Sequence, residues 1–247
     1  MGTDKKTVFI TGASGGIGGA CARVFALSGY DVALHWRSDE CSVSELETEL
    51  RGYGRDTVLV RADLGRADEA EAAVKQAVNS FGKIDALVNA AGAALPQGLF
   101  QFTSDADYET VFNANVRSCL NVTRAVLPSM LSRHEGRIIN VSSVWGVYGG
   151  SCEALYSAAK AAIIGFTKAL AREVGPSGVT VNCIAPGVID TKMNAHLSAE
   201  DMKELAKQTP LCRTGTPEEV AAAALFLAGE GAGFITGQVL GVDGGFC

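Results

Sequence analysis

No apolar run in this sequence approaches the roughly 18 residues that a membrane-spanning helix needs; the longest, 220–228, has nine. Residues 1–6 lead straight into a strand-like run, without the long apolar core of a signal peptide. Excess positive charge is also missing: 21 Lys and Arg stand against 27 Asp and Glu, a formal net charge of −6. That balance argues against a general binder of phosphate backbones. The seven cysteines include no C-x-x-C pair, and none lies near a histidine at zinc-ligand spacing. Such an odd, scattered set reads as reduced thiols in a cytoplasmic protein without a metal site. Proline is scarce, 6 in all, and no linker rich in proline or serine, no tandem repeat and no low-complexity segment divides the chain. One domain over 1–247 is therefore expected. The 47% hydrophobic and 19% charged content excludes a disordered chain.

Glycine, by contrast, is abundant: 29 of 247 residues, against a usual share of about 7%. Around the glycines, short β-branched runs alternate with segments of helical period. Strands are expected at 7–11, 31–36, 57–61, 84–88, 137–141, 179–184 and 238–242. Helices are expected at 16–28, 42–53, 67–81, 105–131 (bent near Pro128), 154–174 and from Thr216-Pro217 onward. Repeated β-α alternation predicts an α/β fold: a doubly wound parallel sheet of about seven strands with helices on both faces. The long irregular stretch, 187–214, is a candidate substrate lid.

The first βα turn reads Thr11-Gly12-Ala13-Ser14-Gly15-Gly16-Ile17-Gly18. Gly12 permits a tight turn, Gly16 admits a pyrophosphate and Gly18 allows close helix–strand packing, with the helix N-terminus facing the anion. This T-G-x-x-x-G-x-G spacing resembles that of the short-chain dehydrogenase/reductase family, a likeness that continues to the C-terminus. It implies a Rossmann-type fold, with cofactor contacts from Gly12, Ser14, Gly16, Ile17 and Gly18, from Asp63 and Leu64 after the third strand, and from Asn89, Ala90 and Gly92 after the fourth. Ala90 stands where the family's N-N-A-G motif has its second Asn. Pro186, Gly187, Ile189 and Thr191 resemble the family's segment at the nicotinamide end.

Tyr156 and Lys160 are four residues apart on an expected helix and so share a face. An ammonium beside a phenol favours the phenolate, which suits the tyrosine to proton exchange with a carbonyl oxygen. Ser143 precedes Tyr156 by thirteen residues, as in the family's pattern. Ser142 is expected to pack behind it. The resemblance implies catalysis by Ser143, Tyr156 and Lys160, with Asn115 holding a water in a proton relay to Lys160. It also implies that Tyr156 and Lys160 touch the cofactor.

The second strand ends His35-Trp36-Arg37-Ser38, where an NAD-preferring site carries an acid. Arg37 and Ser38 suit a 2′-phosphate, so NADP(H) is expected. The overall likeness implies a 3-oxoacyl-[acyl-carrier-protein] reductase-like enzyme of fatty-acid synthesis, cytoplasmic and homotetrameric. The long helices at 105–131 and 154–174 would form one interface. Arg133, His134, Arg137 and Arg172 are the bases available to an acidic acyl carrier protein. The alternative is a subgroup that reduces the 5-aminopentanone modification on elongation factor P. There Glu153 would pair with a substrate ammonium and Trp145 would form an apolar wall. A non-enzymatic dinucleotide-binding scaffold is disfavoured by the intact Ser143, Tyr156 and Lys160.

Overall fold

Strand β1 (Thr7–Thr11) is buried throughout, and its side chains divide between two apolar layers: Val8 and Ile10 enter one, Phe9 the other. Burial on both faces explains why the strand reads as an unbroken apolar run rather than an alternating one. In a computed structural model describing residues 5–194 and 198–246, β1 lies inside a seven-stranded sheet. Its partners are β2 (Asp31–Trp36), β3 (Thr57–Arg61), β4 (Ala86–Asn89), β5 (Gly136–Val141), β6 (Val179–Pro186) and β7 (Val239–Val242). The order is β3-β2-β1-β4-β5-β6-β7, and every pairing is parallel. Residues 195–197 of the expected lid, and Cys247, lie outside the described residues.

One layer joins β1 to α1 (Gly16–Leu27), α2 (Glu40–Gly52) and α9 (Pro217–Ala228) through Phe25, Leu50, Val220 and Leu227. The other joins it to α3 (Ala67–Phe81), α5 (Ser118–Arg133) and α7 (Ala154–Val174) through Val74, Val122, Met130 and Val174. Each fully buried large side chain contributes about 1.5–3 kcal/mol relative to exposure. Among the described residues no helix is long and apolar enough to cross a membrane, and no cluster of His, Cys, Asp and Glu can hold a metal.

The doubly wound expectation holds; several boundaries differ for local reasons. Strand β4 starts two residues later than expected, and just before it the Asp85 carboxylate accepts the Thr7 amide at 2.9 Å. The single helix expected over 105–131 is two, α4 (Asp105–Phe112) and α5, joined by a π-helical turn at Asn113–Arg117. Pro128 lies inside α5 without ending it. A five-residue helix, α6 (Val144–Tyr148), is capped by Ser143, whose Oγ accepts the Trp145 amide at 3.2 Å. The stretch expected to be irregular carries α8 (Ala199–Gln208), begun by a capping box between Ser198 and Asp201.

Because β1 lies between β2 and β4, chain direction through the sheet reverses there. A crevice opens past the carboxyl ends of β1 and β4, where doubly wound sheets bind ligands. The glycine turn leaves β1 at that point and the Asn89–Gly92 segment leaves β4.

Candidate active site

The glycine turn is pinned from below by a histidine. Gly12 has φ +68°, a conformation that favours glycine, and a side chain there would also strike the backbone of Ala91. Its amide donates to His35 Nδ1 at 3.1 Å, and His35 Nε2 lies 3.1 Å from the Ala62 carbonyl oxygen. The two contacts fix the tautomer: Nδ1 accepts and Nε2–H donates. Burial pushes the His35 pKa down to about 4, so the ring is neutral. Gly18 packs so closely that a β-carbon would collide with the Gly12 carbonyl oxygen. Helix α1 has Gly15 at its N-cap, with no side-chain cap and no acid in its first turn. Its first amides and positive end are thus available to an anion.

Above this turn lies a cleft of about 890 Å³, within the usual range for a ligand site. Of the expected cofactor residues, Gly12, Ser14, Gly16, Ile17 and Gly18 line its floor. Arg37 and Ser38 line it with Asp63 and Leu64, and Ala90, Gly92 and Thr191 complete that set. Tyr156 lines a neighbouring hollow, Lys160 is buried, and Asn89, Pro186, Gly187 and Ile189 do not line the cleft. Asn89 is buried and donates to Thr123 Oγ1 at 3.0 Å and Asn140 Oδ1 at 2.9 Å. Pro186 ends β6, the Gly187 amide is held by the Val242 carbonyl at 3.0 Å, and Ile189 is buried and bridged to Gly215.

Ser143 lies close enough to Tyr156 to act on its phenol, and buried Lys160 faces the Tyr156 ring. Burial, then the charge of Glu153, push the Tyr156 phenol up to about 12, and the Ser143 contact works the other way. Burial draws Lys160 down to about 8. Its Nζ lies 5.5 Å from the centre of the Tyr156 ring and donates to the Val141 carbonyl at 3.1 Å. The expected depression of Tyr156 by the ammonium is therefore absent here: that charge is directed at a backbone carbonyl, and burial dominates the phenol. Ser142 packs behind, as expected, its hydroxyl donating to the Lys160 carbonyl at 2.8 Å.

Asn115 sits in the π-helical turn, buried, with its Nδ2 donating to the Ala93 and Val111 carbonyls at 2.7 and 2.9 Å. Its Oδ1 is buried without a hydrogen-bond partner. A β-carbon on Gly92 would come 2.6 Å from that oxygen and 3.2 Å from Lys160 Nζ. The glycine thus lets both polar tips reach one small space. An orphaned buried acceptor beside an ammonium is a place for a bridging water.

On the substrate side, Trp145 meets Phe246 edge to face, with centroids 5.6 Å apart. Glu153 and Tyr156 line one hollow of about 40 Å³ with Leu95, Phe100 and Val111. The bases expected to meet a carrier protein are elsewhere. Helices α5 and α7 start at the site and run to the amino-terminal edge of the sheet. Arg133 ends α5 and donates to the Ile84 carbonyl at 2.6 Å before β4. His134 follows it, Arg137 is the second residue of β5 and Arg172 lies in the last turn of α7. All four are at the end of the sheet opposite Tyr156.

Sequence reasoning missed His35 as the support of Gly12, the 93–97 segment of the cleft wall, Phe246, and Lys192, which lines the cleft beside Thr191. Lys192 was adjacent to an expected contact, which is a signal. Phe246 is linked to Trp145 only through the tertiary fold.

A family model described as Enoyl-(Acyl carrier protein) reductase matches residues 12–247. The chain is 42% identical over 241 residues to the 3-oxoacyl-[acyl-carrier-protein] reductase FabG of Chlamydia trachomatis serovar D, covering 98% of this chain and 97% of that protein. It is 39% identical over 243 residues to the uncharacterized oxidoreductase YmfI of Bacillus subtilis, covering 98% and 99%. Among solved structures, a blue fluorescent protein from a metagenomic library, in complex with NADPH, matches with a TM-score of 0.91 and 37% identity, over 98% of each chain. With the glycine turn, the switch-point cleft and the Ser143, Tyr156 and Lys160 cluster in place, these similarities establish that the chain belongs to the short-chain dehydrogenase/reductase family.

Proposed function

We propose that this protein reduces a ketone to a secondary alcohol with NADPH, and that the ketone is a 3-oxoacyl group of the kind carried on acyl carrier protein. The observation that carries the reaction class is the gathering of the Ser143 and Tyr156 hydroxyls beside a buried Lys160, whose Nζ lies 5.5 Å from the Tyr156 ring centre. The 3-oxoacyl substrate is supported by the name of the Chlamydia relative.

The residues present fit the cofactor. The uncapped start of α1 suits a pyrophosphate, and Arg37 and Ser38 suit a 2′-phosphate. Asp39, the nearby acid that would oppose that phosphate, is engaged as the cap of α2: its Oδ1 accepts the Ser42 amide at 3.1 Å and its Oδ2 the Ser42 hydroxyl at 2.7 Å. When bound, NADPH supplies the hydride. Ser143 Oγ and Tyr156 Oη hold the ketone oxygen and orient the carbonyl. Tyr156, protonated at neutral pH, gives its proton to that oxygen as negative charge develops there. Lys160 keeps a positive charge beneath the phenol, and Asn115 Oδ1 holds a water through which the proton is returned. The 187–214 segment closes over the substrate, Trp145 supplies an apolar wall, and the chain works as one domain in the cytoplasm. Exposed Tyr108 on α4 and Phe234 beside the edge strand β7 support assembly as a homotetramer. Replacing Tyr156 by Phe should abolish turnover with cofactor affinity retained; turnover in that variant would remove the assignment.

A second reading, reduction of the 5-aminopentanone group on elongation factor P, is favoured by one observation. The Glu153 charge acts on Tyr156 and lines the same hollow, where a substrate ammonium would find a carboxylate and a fatty acyl chain would not need one.

A further inference from the structure

The two loops that rim the cofactor cleft are tied together by one ion pair. Lys192 belongs to the loop after β6, in a short turn at Lys192–Asn194. Its Nζ lies 3.5 Å from Asp39 Oδ2 and donates to Ser42 Oγ at 3.3 Å. Asp39 follows directly on Arg37 and Ser38, which line the same cleft as Lys192. The contact therefore spans the cleft from the nicotinamide-side loop to the loop expected at the adenosine end.

This pair is built to exchange. The Lys192 and Asp39 side chains are 79% and 42% exposed, and ion pairs so open to water contribute about 0–1 kcal/mol. Asp39 does not need the lysine: the Ser42 hydroxyl and amide do most to hold its carboxyl below the ordinary range, and Lys192 adds less. The lysine, in contrast, is a cation of the opposite loop that lines the same cleft as Arg37 and Ser38. A phosphate monoester carries close to two negative charges near neutrality and three acceptor oxygens, and so competes for an ammonium better than a capped carboxylate does. The loop that carries Lys192 also rests on the glycine turn, since a β-carbon on Gly16 would come 2.9 Å from Thr191 Cγ2. A shift of Lys192 thus moves a residue packed on the pyrophosphate end of the site.

We propose that Lys192 is a specificity-determining residue for the 2′-phosphate: it leaves Asp39 for that phosphate and draws the 187–194 loop across the bound dinucleotide. The inference rests on the reading that the cofactor is NADP(H), and it adds that cofactor identity is felt by the substrate-side loop. An NAD(H) molecule, lacking the phosphate, would fill the cleft and leave Lys192 on Asp39.

The test uses binding rather than turnover. Affinities of NADP+ and NAD+, which differ only by the 2′-phosphate, are measured by calorimetry without substrate for the wild type, Lys192→Met and Lys192→Arg. Hydrogen exchange of the 187–194 amides is followed alongside. The expected result is that Lys192→Met loses about tenfold in NADP+ affinity, the size of one charge-assisted hydrogen bond. NAD+ affinity is unchanged, and Lys192→Arg keeps most of the preference. NADP+, but not NAD+, slows exchange in the loop of the wild type, and that protection is lost in Lys192→Met. Equal loss for both dinucleotides, or none for either, overturns the proposal and leaves the NADP(H) reading standing if the wild type prefers NADP+. A wild type that does not distinguish the two overturns both.

Discussion

Asn115 Oδ1 and Lys160 Nζ converge on the space that a β-carbon at Gly92 would fill, the one an unpartnered buried acceptor and the other a buried donor. The glycine keeps their shared space open. Gly92→Ala places a methyl group 2.6 Å from the amide oxygen, closer than a β-carbon tolerates, and 3.2 Å from the ammonium, a tight contact. The expected outcome is a fall in kcat of at least about tenfold, roughly 1.4 kcal/mol in barrier, with a near-native melting temperature. Steady-state kinetics beside thermal melting checks this; unchanged kcat would mean that the pair is not used.

The alkaline limb of the rate profile should belong to Lys160. Its pKa is drawn down to about 8 and that of Tyr156 is pushed up to about 12, both chiefly by burial. Below about pH 8 the lysine is charged and the tyrosine holds its proton. As pH rises through 8 the ammonium is lost while the phenol remains an acid. The value of kcat/KM should therefore fall toward tenfold per pH unit above that point, since this profile reports groups of the free enzyme. A rate still rising at pH 9 would contradict it.

His35 makes stability sensitive to acid. Its folded pKa is lowered, chiefly by burial, from 6.5 to about 4, so the unfolded chain binds a proton first. The stabilisation is present above pH 6.5 and is lost as pH falls through about 4. It amounts to roughly 3 kcal/mol at about 1.4 kcal/mol per pKa unit. Denaturant midpoints at neutral pH and near pH 4.5 should differ more for the wild type than for His35→Asn, which keeps polar contacts without titrating. An equal pH dependence in the two proteins would remove His35 from this role.

Glu153 separates the two substrate readings. On the 3-oxoacyl reading, Glu153→Gln leaves turnover of acetoacetyl-CoA unchanged or slightly raised, because the carboxylate opposes ionisation of Tyr156. A selective loss of turnover on a small ω-amino ketone would move the assignment to the elongation factor P reading.

What was legible in the sequence was whatever depends on local spacing. The continuous run at Thr7–Thr11, the glycines of the first turn and the four-residue step from Tyr156 to Lys160 each state their geometry within a dozen residues. The π-helical turn at Asn113–Arg117 was not legible, because it interrupts a helix without proline or glycine. Helix α8 had local signals, the Ser198 and Asp201 capping box and Met202, Leu205 and Ala206 at helical spacing, within a strongly polar stretch. Whether Arg133 and Arg172 face a carrier protein depends on which end of the sheet α5 and α7 reach, and the sequence names helices without saying where they finish. The Lys192–Asp39 contact joins residues far apart in the chain and is visible only in three dimensions.

The cluster of Ser143, Tyr156 and Lys160 is expected to reduce a ketone with NADPH. The most direct measurement is nicotinamide absorbance for the purified protein with acetoacetyl-CoA, a surrogate for a 3-oxoacyl carrier protein, supplied with NADPH and, in parallel, NADH. Rapid oxidation of NADPH, much slower oxidation of NADH, and none of either in Tyr156→Phe are expected. NADPH left unconsumed on every ketone offered, or consumed as fast by Tyr156→Phe, would contradict it.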